Sequence, residues 1–121
     1  MADVSGRAIL EDLRAEQALY GEMLGLAREQ KDALARGDAG SVEALLGSKQ
    51  SLLARIDEVE TRLGPVKRDW AAVRETLAET DRQEVQGLVE AIGKTLQELM
   101  ATEEEVPGSF GFRVRRSGRK A

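Results

Sequence analysis

Three polar residues interrupt otherwise apolar helical stripes and are the first candidates for chemistry: Glu16, Gln30 and Lys49. A carboxylate and a lysine drawn into one interior could move a proton. The same residue types at the seam between two helices fix register instead, at some cost in stability. The composition favours the second reading. The chain has no His and no Cys, which removes imidazole and thiol chemistry, disulfides and the commonest zinc ligands. No closely spaced carboxylate pair and no glycine-rich phosphate loop accompanies the three residues. The expectation is a protein that is not an enzyme, with no catalytic residue, no metal ligands and no cofactor.

Two further features could carry binding. Trp70, the only tryptophan, stands among Lys67, Arg68, Asp69 and Arg74. It reads as a plug for the end of a helical core with its indole N–H at the rim, or alternatively as an interface anchor. The C-terminal run holds Phe110, Phe112, Arg113, Arg115, Arg116, Arg119 and Lys120 without an acid. It reads as a solvated basic end, with phosphate-backbone binding assisted by the two Phe as the alternative. The formal net charge of −4 therefore hides an acidic body and a basic tail.

The elements that must position these residues follow from composition and period. Aromatic residues make up 3% and charged residues 33% of 121 residues, which suits helices and one small domain. Steps of three and four select Ile9, Leu13, Glu16, Tyr20, Met23, Ala27, Gln30 and Leu34, then Val42, Leu45, Lys49, Leu52, Ile56, Val59 and Leu63. Each set is one stripe of an amphipathic helix. The connection Arg36-Gly37-Asp38-Ala39-Gly40 is too short for a crossover, so the two helices form an antiparallel hairpin. Folding about that turn pairs Leu34 with Val42, Ala27 with Lys49, Met23 with Leu52 and Leu53, Tyr20 with Ile56, and Leu13 with Leu63.

Asp38 or Ser41 caps the second helix, and Gly64-Pro65 stops it. Leu19, Leu26 and Ala33 on one flank of the first helix, with Leu10 and Leu24 on the other, make its apolar face too wide for a two-stranded coil, so a third packing element is implied. Gly21 and Gly25 lie within that helix, and close approach of a neighbour would compensate their low propensity. Val66, Trp70, Val73 and Leu77 mark a short third helix. Asp81 and Glu84 stand in capping-box register before a fourth, which carries Leu88, Val89, Ile92, Leu96, Leu99 and Met100 on one broad face. That helix ends at Glu103-Glu104-Glu105, where acids oppose the helix dipole.

The expected architecture is all-α, an elongated antiparallel hairpin with one or two further helices, spanning about 7–36, 41–63, 66–79 and 82–105. These form one domain over 1–108, with a flexible basic tail at 109–121. No apolar run approaches the roughly 20 residues needed to span a bilayer, and the N-terminus does not read as a secretory leader. A cytoplasmic protein with no membrane insertion is expected.

The hairpin resembles the FlgN family of bacterial flagellar export chaperones. The likeness rests on Glu16, Tyr20, Met23-Leu24, Leu26, Gln30, Ala33-Leu34 and Gly37-Asp38, followed by Val42, Leu45, Lys49 and Leu52-Leu53. It covers the first half well and the later helices in length and pattern. The resemblance implies a chaperone that holds hook-filament junction proteins, FlgK and FlgL, through their C-terminal amphipathic helices until type III secretion. It also admits components of the export apparatus as partners. An acidic helical rod with surplus apolar stripes suits such a client.

On that view Leu88, Val89, Ile92, Leu96, Leu99 and Met100 are the client-binding residues; the alternative is that they are ordinary bundle core. Two other functions stay open: a structural adaptor that self-associates through its helices, and a nucleic-acid-associated protein acting through the tail.

Overall fold

The computed structural model describes residues 6–105. The chain forms α1 (Gly6–Arg36), α2 (Ala39–Arg68), α3 (Trp70–Glu75) and α4 (Glu79–Glu104), with no strand among the described residues. The expected tail at 109–121 lies outside them.

The stripe on α1 faces inward from Ile9 to Gln30, its polar members included, whereas its last residue, Leu34, is 40% exposed. On α2, Lys49, Leu52, Ile56, Val59 and Leu63 are buried, and Val42 and Leu45 are half-buried. The hairpin thus packs tightly over most of its length and opens toward its turn. That turn is a helix-ending motif built on a left-handed glycine. Gly37 has φ of 72°, its N–H donates to the Leu34 carbonyl at 3.1 Å, and the Asp38 N–H donates to Ala33 at 2.9 Å. Of the two candidate caps it is Asp38 that accepts, from the Ser41 N–H at 3.1 Å and the Ser41 hydroxyl at 2.7 Å. Those bonds hold its carboxyl below the usual range.

α4 supplies the third packing element. It lies against α1 and runs parallel to it, as shown by ion pairs from Arg14 to Glu84, Arg28 to Glu98 and Lys31 to Glu105. The result is an up-down-up bundle with α1 in the middle, since α2 and α4 each pack along α1 while their own backbones seldom come close. At the start of both helices a Cβ on Gly6 would lie 2.7 Å from the Asp81 carboxylate. A larger residue there would have to displace the Asp81 carboxylate and press on Leu77.

Four sequence expectations are corrected. Gly64-Pro65 does not stop α2, which runs one turn further to Arg68. Gly64 has no Cβ to clash with the proline ring, and the Pro65 carbonyl still accepts the Asp69 N–H at 3.2 Å. α3 therefore starts only at Trp70, and because it also stops at Glu75 it is six residues long instead of fourteen. α4 begins at Glu79 with Ala78 as an N-cap that offers no side-chain bond, so Asp81 belongs to the first turn rather than to a capping box. Finally, nothing lies within 4 Å of a Cβ built on Gly21 or Gly25, so no neighbouring helix compensates those two glycines.

Candidate functional site

The seam polar residues form two networks. At the turn end, Lys49 donates to Gln30 Oε1 at 2.9 Å, and its Nζ lies 2.6 Å from Glu103 Oε2 on α4. Gln30, Lys49 and Glu103 are all buried, Glu103 completely. The Lys49–Glu103 contact is ionic without hydrogen-bond direction, and neither Glu103 oxygen has a hydrogen-bond partner among the described residues. This one lysine links all three long helices. It also gives Glu103 a place that its position against the dipole did not suggest.

Nearer the other end, Lys67 donates to buried Glu16 at 3.2 Å, and the Tyr20 hydroxyl donates to Glu60 at 2.5 Å. Relative to the apolar pairing read from the sequence, Tyr20 reaches one turn further along α2 to Glu60, and Lys67 reaches back about two turns to Glu16. Burial raises the Glu16 carboxyl to about 7, reinforced by its hydrogen bond to Glu60 and opposed by the Lys67 charge. Both networks tie helices together, and Lys67 of the second also lines an apolar cavity at the α3 end.

The surface of α4 divides into three strips. Val85, Ile92, Leu99 and Glu103 are buried and follow one another at helical spacing toward α1. Glu84, Glu98 and Glu105 lie to one side, where they meet the cations of α1. On the opposite side Val89, Gly93, Leu96 and Met100 form a line directed toward α2. Along this line Val89 is 52% exposed, Gly93, Leu96 and Met100 are half-buried, and a Cβ on Gly93 would meet nothing within 4 Å.

Of the six α4 residues singled out from sequence, Ile92 and Leu99 therefore sit in the core, Val89 faces out, and Leu88, Leu96 and Met100 flank the core half-buried. The structure brings Leu96 and Met100 onto the strip with Val89 and leaves Leu88 on the other flank. What the sequence reading missed is the wall opposite. A cavity of about 290 Å³ lies at the α3 end, with Ile9 and Leu13 of α1 as its floor, Leu63, Val66 and Lys67 of α2 on one side, Val85 and Val89 of α4 on the other, and Trp70 across the end. Its clue in the sequence was Trp70 following Val66 and Lys67. Trp70 is half-buried, so it both packs on the core and presents one face to this cavity.

Among the described residues no group of His, Cys, Asp or Glu is placed to hold a metal ion, and no helix is long and apolar enough to cross a membrane. No curated protein and no solved structure matches the chain. The family model described as FlgN protein matches residues 1–106, which takes in all four helices, both polar networks and the α4 strip. The chain belongs to the FlgN family of flagellar chaperones.

Proposed function

We propose that the protein holds a hook-filament junction protein in the cytoplasm in an export-competent state, by burying one face of an amphipathic client helix against the α2-facing strip of α4. Val89, Leu96 and Met100 make the contact, and Leu88, across the buried line on the other flank, takes no part in it. Ile92 and Leu99 hold the strip rigid from beneath. The observation that carries this reading is the 52% exposure of Val89 in line with the half-buried Leu96 and Met100. These are apolar residues that the core leaves incompletely covered, beside a glycine that lets another helix approach.

Apolar area removed from water contributes roughly 25 cal/mol per Å², so covering this strip favours a helix with a matching stripe. Met100 adapts to different client side chains because its thioether chain is flexible and polarisable. An uncaptured client stripe would promote aggregation, and covering it requires no turnover.

Co-expression with a junction protein, followed by co-purification and melting of each variant, tests the reading. Val89→Asp and Gly93→Leu should fold with nearly unchanged melting temperatures, since the first position is exposed and the second has open space around it. Both should lose the client. Capture at wild-type level by both variants would remove α4 from the binding surface.

A further inference from the structure

The cavity beside Trp70 has a polarity that matches one end of a helix. Its floor of Ile9, Leu13, Leu63 and Val85 is apolar and buried, Val66 and Trp70 are half-buried, Val89 forms an exposed edge, and at its lip stands Lys67, whose side chain is 46% exposed while its amine reaches Glu16. Arg68 follows on α2 and Arg74 on α3, with the acids Asp69 and Glu75 beside them and Glu79, Asp81 and Glu84 at the start of α4. At the opposite end of the α4 strip Glu103 is buried against Lys49, Glu105 pairs with Lys31 and Asp38 with Arg36, which leaves Glu104 at the end of α4 and Glu43 near the hairpin turn as the acids beside the strip. A helix carries partial positive charge at its N-terminus and partial negative charge at its C-terminus. One laid along the strip is therefore favoured with its C-terminal end at Lys67 and its N-terminal end beside the acids. That direction is antiparallel to α4.

Resting on the chaperone reading above, we propose that the cavity beside Trp70 is an anchor site for the C-terminal turn of the client helix. It takes one large apolar side chain, such as Leu, Met or Phe, whose neighbouring acidic group or terminal carboxylate pairs with Lys67. The volume suits this occupant, because about 290 Å³ lies at the lower edge of the roughly 300–1,000 Å³ range of small-molecule pockets. One or two side chains fit. α3 acquires a purpose in the same step: it has no buried residue of its own, and it carries Trp70 across the end of the cavity.

Trp70 is the only tryptophan, so its emission reports the site directly. The probes are two synthetic 18-residue amphipathic helices with the same leucine stripe, one with glutamates and one with lysines in the last turn. Each also bears a nitroxide quencher at either its N- or its C-terminus.

The glutamate-ended peptide should shift Trp70 emission to the blue and bind at least severalfold more tightly than the lysine-ended one. Its C-terminal nitroxide should quench Trp70 and its N-terminal nitroxide should not. Lys67→Glu should reverse the preference, by roughly two- to fivefold for an exposed pair, and Val89→Asp should abolish the shift. Equal binding of the two peptides, quenching from the N-terminal label, binding with Trp70 silent, or no binding by either peptide would overturn the proposal.

Co-purification of the junction protein separates this result from the chaperone reading. Capture by the wild type that survives both Lys67→Glu and Val89→Asp overturns the anchor and leaves the chaperone. Absence of capture by the wild type overturns the chaperone reading itself.

Discussion

Glu16 shows how one seam residue couples stability to pH. Its carboxyl titrates at about 7 in the folded chain against an ordinary value of 4.5, so between those values the native state holds a proton that the unfolded chain has released. Stability then falls as pH rises. The contribution is fully present below 4.5, declines through the window and is gone above about 7. Melting curves between pH 5 and pH 8 should therefore show a decreasing midpoint, and Glu16→Gln should flatten that slope, since the amide keeps the shape without titrating. A midpoint that rises over this range in the wild type would contradict the assignment. Glycines inside helices offer a second residue-scale case. Gly21, Gly47 and Gly87 are exposed, and a Cβ at each would meet nothing within 4 Å. Replacing each by Ala should stabilise the protein by about 0.5 to 1 kcal/mol, measurable by urea titration, with destabilisation at any of the three indicating an unseen neighbour.

At the scale of elements, the α1–α2 seam and the α4–α1 seam are joined through Lys49, and this link is testable by a mutant cycle. Lys49→Met leaves Glu103 buried without its cation and should cost about 3 to 5 kcal/mol. Adding Glu103→Met should recover most of the loss, because an apolar pair of similar volume fills the same space. Failure of the second change to rescue the first would mean that Lys49 acts chiefly through Gln30. In the middle of the hairpin, Leu52→Ala or Ile56→Ala should cost about 2 to 5 kcal/mol by leaving a cavity in a buried stripe. How far these elements could be read from the sequence depended on how local their cause is. The two hairpin stripes and the Gly37-Asp38 turn were legible because each is a short-range pattern. Gly64-Pro65 was misread because proline removes one intrahelical bond and crowds the carbonyl four residues back without by itself ending a helix, and the glycine before it removes the further clash a Cβ would make. Glu103 and Glu60 were overlooked because their partners, Lys49 and Tyr20, are 54 and 40 positions away. Glu103 also lies one turn beyond Leu99 on the buried face of α4, and that spacing was the available signal. The broad α4 stripe was visible as a stripe; its division into a buried line of Ile92 and Leu99 and an open line of Val89 and Leu96 needed the position of α2.

For the whole molecule, α1 is the hub on which the other long helices depend. Leu19 and Ala33 lie on one flank of its central stripe, and Leu10 and Leu24 lie on the other, beside the Arg14 and Arg28 that pair with α4; all four apolar residues are buried. A two-helix hairpin cannot cover both flanks, so the hairpin should not be an independent folding unit despite its regular pattern. A chain ending at Ala78 would expose Leu10 and Leu24, remove Val85 and Val89 from the wall facing Trp70, and deprive Lys49 of Glu103. This truncated chain should retain helical signal from local propensity. It should lose the sharp thermal transition and the near-ultraviolet signal of Trp70, and it should self-associate through the uncovered stripe. Circular dichroism in both wavelength ranges, with light scattering, checks this. A monomeric truncated chain that melts cooperatively near the full-length midpoint would show that the hairpin carries the fold alone. α4 would then be free to leave α1, and its now buried Ile92 and Leu99 would become available to a client together with Val89, Leu96 and Met100. Loss of cooperativity on truncation ties α4 to the body instead. It would confine the proposed client contact to the strip of Val89, Leu96 and Met100 that the assembled bundle leaves uncovered.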